Sequence, residues 1–316
     1  LVGSEMCIRD RPIADLEQQI LDLKDSELDE NSIQQEVIRL NESIMKTTEK
    51  IYSNLSPWQN VQVARHPERP HFLDYVERIT DDFDELHGDR HFSDDRAVLG
   101  GIGTIGEYKV MLIGHEKGRS TEEKISHNFG MSQPEGYRKA CRLMELAERF
   151  SLPIVTLVDT PGAYPGIDSE ERGQSEAIAH NLLVMSSLKT PIIVNVVGEG
   201  GSGGALALGV GDHITMLEHS TYSVASPEAC ASIVWRDSTK ADQAAEAMKL
   251  NAESILELGL IDEIIPEPLG GAHRSFDQAS ANLSKSILKS LDELAKQPIN
   301  SILEKRYERL MSYGSI

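Results

Sequence analysis

Six glycines fall between Gly198 and Gly209, with Ser202 among them, directly after the apolar run Ile192–Val197. Small residues, Ala205–Leu208, leave the loop as the start of a helix. A glycine loop between a buried strand and a helix brings bare peptide N–H groups up to an anion, because no side chain holds the ligand off. Three chemistries share these letters. Gly198-x-Gly200-x-x-Gly203 matches the dinucleotide fingerprint, with Glu218 roughly where its ribose-binding acid falls. Gly200-x-Ser202-x-Gly204 matches the nucleophile elbow of a serine hydrolase, with Asp212, His213 and His219 downstream. Gly203-Gly204 also suits an oxyanion cradle made only of peptide N–H groups. Against all three stands a tight turn with no chemistry.

The pattern occurs twice. Ile154–Val158 is fully apolar and reads as a strand buried on both faces. It runs into Asp159-Thr160-Pro161-Gly162-Ala163-Tyr164-Pro165-Gly166, a loop held open by its prolines and glycines. Other candidate anion contacts are basic. Lys117 and Arg119 follow a strand and could meet phosphates or line an exposed loop. Arg65, His66 and Arg69 lie among prolines and read more readily as a solvated linker than as an anion site. The acidic run Asp81–Glu85 has no metal-ligand spacing and reads as a solvated face.

These loops need elements to hold them. Pro12–Leu55 carries Ile13, Leu16, Ile20 and Leu23, then Ile33, Val37, Leu40 and Ile44, at helical spacing. That predicts two amphipathic helices, the second capped by Asn31 or Ser32. They form a hairpin or arm, as surface cover or as a partner-binding device. Leu73–Phe83 reads as a helix capped near Asp74. Val98–Ile105 and Lys109–Ile113 flank Gly106-Glu107 as a hairpin. Further helices are expected over Pro134–Phe150, Gly173–Leu188, Lys240–Leu258 (Ala244, Ala247 and Met248 inward), Phe276–Leu294 and Ile302–Met311, with one more opening at Ser226-Pro227-Glu228. Strands are expected at His213–Leu217, Tyr222–Ala225 and within Gly259–Pro266. Repeated β-β-α turns point to an α/β spiral of stacked units, not a doubly wound open sheet.

The bulk properties narrow the partners. A net charge of −20 over 316 residues argues against nucleic acid or an anionic membrane, both of which demand cationic surface. No apolar run approaches the ~20 residues of a membrane span. The three cysteines are far apart and form no C-x-x-C pair, which fits a reducing compartment and no zinc site. Leu1–Arg11 has neither helical nor strand period and reads as a non-native or disordered start.

The dinucleotide reading fits poorly, because Gly209 and Gly211 cut the following helix short. The hydrolase reading needs His213 or His219 within hydrogen-bond reach of Ser202, yet His213 opens a strand only a short way on. Two glycine loops at the ends of buried strands remain. Such a pair can hold an enolate or similar oxyanion without an acid–base side chain.

Long motifs carry a family resemblance: ARHPERP (Ala64–Pro70), FDELHGDR (Phe83–Arg90), NFGMSQPEGYRKA (Asn128–Ala140), DTPGAYPG (Asp159–Gly166), ERGQSEAIA (Glu171–Ala179), GEGGSGGALALGVGD (Gly198–Asp212), STYSVASPEACASIVW (Ser220–Trp235), IIPEPLGGAHR (Ile264–Arg274) and RYERLMSYG (Arg306–Gly314). With them the chain resembles, from about Pro12 to its end, the carboxyltransferase alpha subunits of multi-subunit acetyl-CoA carboxylase, of bacterial or plastid type. Leu1–Arg11 has no counterpart there.

The resemblance implies a crotonase/ClpP-like spiral over residues 71–316, an N-terminal helical arm and linker over 12–70, and C-terminal helices. It implies an enzyme of fatty acid biosynthesis that moves a carboxyl group from carboxybiotin to acetyl-CoA, giving malonyl-CoA. Biotin itself can then accept the thioester's proton, so no protein base is required. The implied partners are a beta subunit in an alpha2-beta2 assembly, the biotin carboxyl carrier protein and biotin carboxylase. The beta subunit carries the zinc ribbon, so no metal is expected in this chain. By the family pattern Gly203 and Gly204 hold the biotin ureido oxygen. The first loop is read beside it as supplying companion donors from Gly162 and Ala163, or as loop geometry alone. Lys117, Arg119, Tyr164 and Arg172 are then candidate acetyl-CoA contacts. The implied location is cytoplasm or plastid stroma. The alternatives are a serine hydrolase on the same fold, using Ser202, and a non-catalytic assembly subunit docking through Pro12–Leu55.

Overall fold

The computed structural model describes residues 11–24 and 30–314. The reading of Leu1–Arg11 falls outside them, except that Arg11 opens the first helix. Helices α1 (Arg11–Lys24) and α2 (Glu30–Tyr52) lie against one another. The two expected stripes are their inner faces, with Ile13 and Leu40 buried and the rest half-buried. Because α2 opens at Glu30, Asn31 and Ser32 sit in its first turn and do not cap it.

The stretch expected as a linker contains a third helix, α3 (Pro57–Ala64). Ser56 Oγ accepts the Gln59 N–H and the Gln59 side chain accepts the Ser56 N–H, a reciprocal cap with Pro57 at the first helical position. Asn60 through Ala64 are buried. Helix α4 (Phe72–Ile79) follows, with the His71 N–H donating to Asp74 Oδ2. Thr80 is extended and ends it, so Phe83 belongs to strand β1 (Phe83–Glu85) and not to the helix.

Strands β2 (Val98–Ile105) and β3 (Tyr108–His115) form the expected hairpin, closed by Gly106 at φ +58° and Glu107. The chain continues through α5 (Thr121–Ser126), α6 (Pro134–Arg149), β4 (Ile154–Thr160), α7 (Ile167–Glu171), α8 (Gln174–Ser187), β5 (Ile192–Gly201), α9 (Ser202–Leu206), β6 (His213–Leu217), β7 (Thr221–Ser223) and α10 (Pro227–Trp235). The helix expected over Lys240–Leu258 is broken into α11 (Ala241–Met248) and α12 (Ala252–Glu257). Lys249 takes a left-handed φ of +49° and Leu250 turns into the interior. Ala245, not Ala247, joins Ala244 inside. Strand β8 (Glu263–Ile265) and helices α13 (Phe276–Ala295) and α14 (Ile299–Ser312) complete the chain.

The sheet runs β1-β2-β3-β4-β5-β6-β8, antiparallel up to β3 and parallel beyond it. Strand β5 serves two neighbours on one edge. Ile193–Val196 pairs with β6, and Glu199–Gly201 pairs with β7. That hand-over makes a β-β-α spiral out of what would otherwise be an open sheet.

Both faces are covered. Met111, Ile113, Val194 and Val196 pack with α6 residues Leu143 and Met144 on one side. Leu112, Leu157, Ile193 and Val197 pack with Phe72 and Tyr75 of α4 and Leu283 and Ile287 of α13 on the other. Alternation of inward residues along strands with no polar face is what double coverage requires. Among the described residues no helix is long and apolar enough to cross a membrane.

Candidate active site

Strands β4 and β5 end side by side, and their glycine loops meet. The pairing slips from Val158 with Val196 to Thr160 with Gly200. The Asp159 carboxylate fills the slip, and its Oδ1 accepts the Glu199 N–H at 2.9 Å. A Cβ on Gly198 would lie 2.2 Å from that oxygen. On Gly201 it would lie 2.3 Å from the Pro161 carbonyl oxygen, and on Gly204 2.7 Å from the Gly162 carbonyl carbon. These three glycines are required because backbone or a pinned carboxylate occupies the side-chain position.

Gly203 differs. Its nearest neighbour at a Cβ position is the end of the Ile178 side chain, at 3.4 Å. Among the described residues nothing demands glycine there, and the residue is half-exposed. In the first turn of α9 the N–H groups of Gly203 and Gly204 have no intrahelical acceptor. In the first loop Gly162 stands at φ +148°. Its N–H donates to Thr160 Oγ1 at 3.1 Å, and that hydroxyl donates to the Gly130 carbonyl at 2.6 Å. Of the expected companion pair, Ala163 therefore retains the N–H to offer, while Gly162 shapes the turn.

The competing chemistries lack their partners. The His213 ring nitrogens face Asp262 and Glu263 at 3.7 Å each. His219 Nδ1 lies 3.3 Å from Asn60 Oδ1 and its ring packs on Tyr52. Among the described residues no histidine is hydrogen-bonded to Ser202, which sits at φ +48° where β5 becomes α9. Glu218 accepts the Glu267 N–H, and α9, at five residues, is short for the helix that follows a dinucleotide fingerprint. No group of three or more His, Cys, Asp or Glu among the described residues is placed to hold a metal ion.

Each expected basic contact already holds a carboxylate. Lys117 Nζ lies 2.6 Å from Asp159 Oδ1 and 3.1 Å from Glu199 Oε2. Arg119 pairs with Asp74 and donates to the Pro67 carbonyl. Arg172 bonds Glu135 and the Gln133 side chain, both at 2.6 Å, and lies over the Phe92 ring. Tyr164 is half-buried, its backbone tied to Ser132 and Gln174. Of these four, Lys117 reaches the roots of both loops.

Two arginines read as solvated are buried or nearly so. Arg65 bridges Glu199 and Glu228, both at 2.6 Å. Arg69 is 1% exposed, donates from Nε to the Val197 carbonyl and grips Glu267 through both Nη atoms. The available sequence signal was on the acids. Glu199 stands at the end of a strand expected to be fully buried, and a buried carboxylate needs a cation.

Burial raises the Asp159 and Glu199 pKa values, but Lys117, with Arg65 beside Glu199, outweighs it and holds both below the ordinary carboxylate range. Burial lowers Lys117 and Arg65, yet their acids hold both above normal.

His115, at the end of β3, is fully buried and accepts the Asp159 N–H on Nδ1. Burial pushes it down from 6.5 to about 4, Asp159 opposing and Lys117 assisting. A depressed histidine pKa means the folded state binds fewer protons, so acid favours unfolding. Stability is therefore expected to fall by about 2 kcal/mol from this group between pH 7 and pH 5. Urea unfolding of the parent and of His115→Gln at both pH values checks this, and an equal pH slope in the two proteins would refute it.

A family model described as acetyl co-enzyme A carboxylase carboxyltransferase-like matches residues 8–314. The carboxyl transferase subunit alpha of acetyl-coenzyme A carboxylase from Teredinibacter turnerae is 58% identical over 310 residues, covering 97% of this chain and 96% of its own. That of Methylococcus capsulatus is 57% identical over 306 residues, covering 96% and 95%. Among solved structures, the transcarboxylase 12S core superposes with a TM-score of 0.59 at 19% identity, over 72% of this chain and 42% of that one. A Pseudomonas malonate decarboxylase hetero-tetramer in complex with coenzyme A gives 0.58 at 17%, over 76% and 94%. The beta subunit of Pseudomonas aeruginosa geranyl-CoA carboxylase gives 0.57 at 18%, over 78% and 46%. The solved structures share the crotonase-type spiral, and with near-full-length identity of this order the chain belongs to the acetyl-CoA carboxylase carboxyltransferase family, as an alpha-type subunit.

Proposed function

We propose that this chain forms the biotin side of a shared site that transfers a carboxyl group from carboxybiotin to acetyl-CoA, yielding malonyl-CoA. The observation that carries this is the contrast between Gly203 and its neighbours. Gly198, Gly201 and Gly204 are explained by contacts within the protein, whereas Gly203 is half-exposed and a side chain there would meet the end of Ile178.

Biotin, borne on a carrier protein, supplies the activated carboxyl group and can accept the substrate's proton. The cradle suits its ureido oxygen, because the donors are uncharged peptide N–H groups with no general base at hand. Gly203 and Gly204 hold that oxygen, and Ala163 stands next to Gly204 as the companion donor. Fixed donors of this kind are each worth about 3–4 kcal/mol in the barrier. A beta subunit provides the matching cradle for the thioester, in an alpha2-beta2 assembly supplied by the biotin carboxyl carrier protein and biotin carboxylase. The setting is cytoplasm or plastid stroma.

The test is Gly203→Val in the complex with the beta subunit. Malonyl-CoA formation is expected to fall by at least about 100-fold, with little change in the unfolding midpoint because only Ile178 must give way. Undiminished turnover sinks the proposal.

A further inference from the structure

Strand β3 ends at His115, and the next two residues are built to aim a lysine. Glu116 Oε1 accepts the Gly118 N–H and its Oε2 accepts the Leu73 N–H, which fixes the turn. Gly118 stands at φ +75°. Gly130 leaves room for the Lys117 stem, since a Cβ there would lie 2.8 Å from Lys117 Cγ. The stem thus passes beneath the turn Asn128–Gly130, whose three residues all have positive φ. The Lys117 ammonium ends between two carboxylates, at 2.6 Å from Asp159 and 3.1 Å from Glu199.

The positions of those two acids matter. Asp159 lies three residues before Gly162 at the end of β4, and Glu199 lies four before Gly203 at the end of β5. Their side chains are 2% and 12% exposed, and that of Lys117 16%. One half-buried cation therefore joins the roots of both glycine loops. Arg65 continues the chain of alternating charges from Glu199 to Glu228, at the start of α10.

We propose that Lys117 is a positioning residue for carboxyl transfer: its ammonium sets the spacing between the two glycine loops and so aligns the N–H groups of Ala163, Gly203 and Gly204 on one oxyanion. It is a strut beneath the cradle and not a phosphate contact. This rests on the cradle reading given above. Oxyanion donors work only when held at hydrogen-bond distance, so a small change in loop spacing acts on the transition state and not on cofactor affinity.

Lys117→Met alone leaves two buried carboxylates facing each other and is expected to fold poorly. The deciding variant is Lys117→Met with Asp159→Asn. It removes both charges of one pair, keeps Arg65 on Glu199, and leaves an amide oxygen at position 159 to accept the Glu199 N–H. It is assayed in the complex with the beta subunit beside Gly203→Val. The double variant is expected to keep an unfolding midpoint near the parent's, lose kcat by about 30-fold or more, and hold KM for acetyl-CoA within about threefold. A parental kcat in the folded double variant overturns the strut while a dead Gly203→Val leaves the cradle standing. A tenfold rise in KM with kcat intact overturns it in favour of a phosphate contact. Full activity of Gly203→Val overturns the cradle, and the strut with it.

Discussion

Alanine at position 204 is expected to cost this protein both stability and nearly all of its carboxyl transfer, while alanine at position 203 leaves the fold intact. The two glycines are adjacent and look equivalent in the sequence, but their surroundings differ. The new methyl at 204 meets the Gly162 carbonyl carbon at 2.7 Å and the Ala163 nitrogen at 2.9 Å. Both are main-chain atoms, so no rotamer change relieves the clash and the two loops must part. Overpacking of this kind costs about 1–3 kcal/mol of folding free energy. Separation of the loops by even about 1 Å costs about 100-fold in rate. At 203 the methyl meets only the flexible end of Ile178 at 3.4 Å. Urea midpoints and kcat for both variants, each with the beta subunit, check the contrast. A Gly204→Ala protein with parental midpoint and turnover contradicts it.

Arg69→Met is expected to destabilise the fold by about 3–5 kcal/mol, because it strands a buried charge. Glu267 is fully buried, and Arg69 meets it at 2.5 and 3.0 Å. Burial raises the Glu267 pKa, but Arg69 outweighs it and keeps the acid ionised well into the acidic range. Without the guanidinium, the His219 and Ala272 N–H groups remain as that carboxylate's donors among the described residues. The Val197 carbonyl in β5 also loses the Arg69 donor, close before the second glycine loop. Arg69→Met with Glu267→Gln removes the stranded charge and is expected to recover part of the loss. A single variant as stable as the parent in urea refutes the assignment.

The parts of this fold that were legible in the sequence are those whose cause is local. Gly106-Glu107 closes a hairpin between two β-rich runs, and the structure has that hairpin. The apolar runs leading to Asp159 and Glu199 are buried on both faces. The missed elements depend on distant partners. Ser56 and Pro57 fall in the stretch expected as arm and linker, although the same two residues can cap and open a helix; burial of Asn60–Ala64 favours the helix. Arg65 and Arg69 looked solvated because Glu199, Glu228 and Glu267 lie 134, 163 and 198 positions away. Lys117 could be read as a phosphate contact or as part of an exposed loop because its partners Asp159 and Glu199 also lie far along the chain. At the site the glycines pointed to peptide N–H chemistry, but which of them are held by main-chain or carboxylate contacts and which one meets a flexible side chain was visible only in three dimensions. On the arm side of the boundary expected at residue 70, Asn60–Ala64 and Arg69 are buried, and Arg65 and Arg69 are ion-paired to the sheet and its loops.

The double pairing of β5 has a bearing on how the protein comes off the ribosome. The β2–β3 hairpin can close as soon as its second strand emerges. Every neighbour of β5 is parallel to it, and parallel pairing spans a long intervening stretch of chain. The Glu199–Gly201 segment has no partner on its outer edge until Thr221–Ser223 has been synthesised, and Arg65, made long before, waits further for Glu228. The second glycine loop is therefore secured late, and a nascent chain that stops short of β7 carries both loops without the strand that pins the second one.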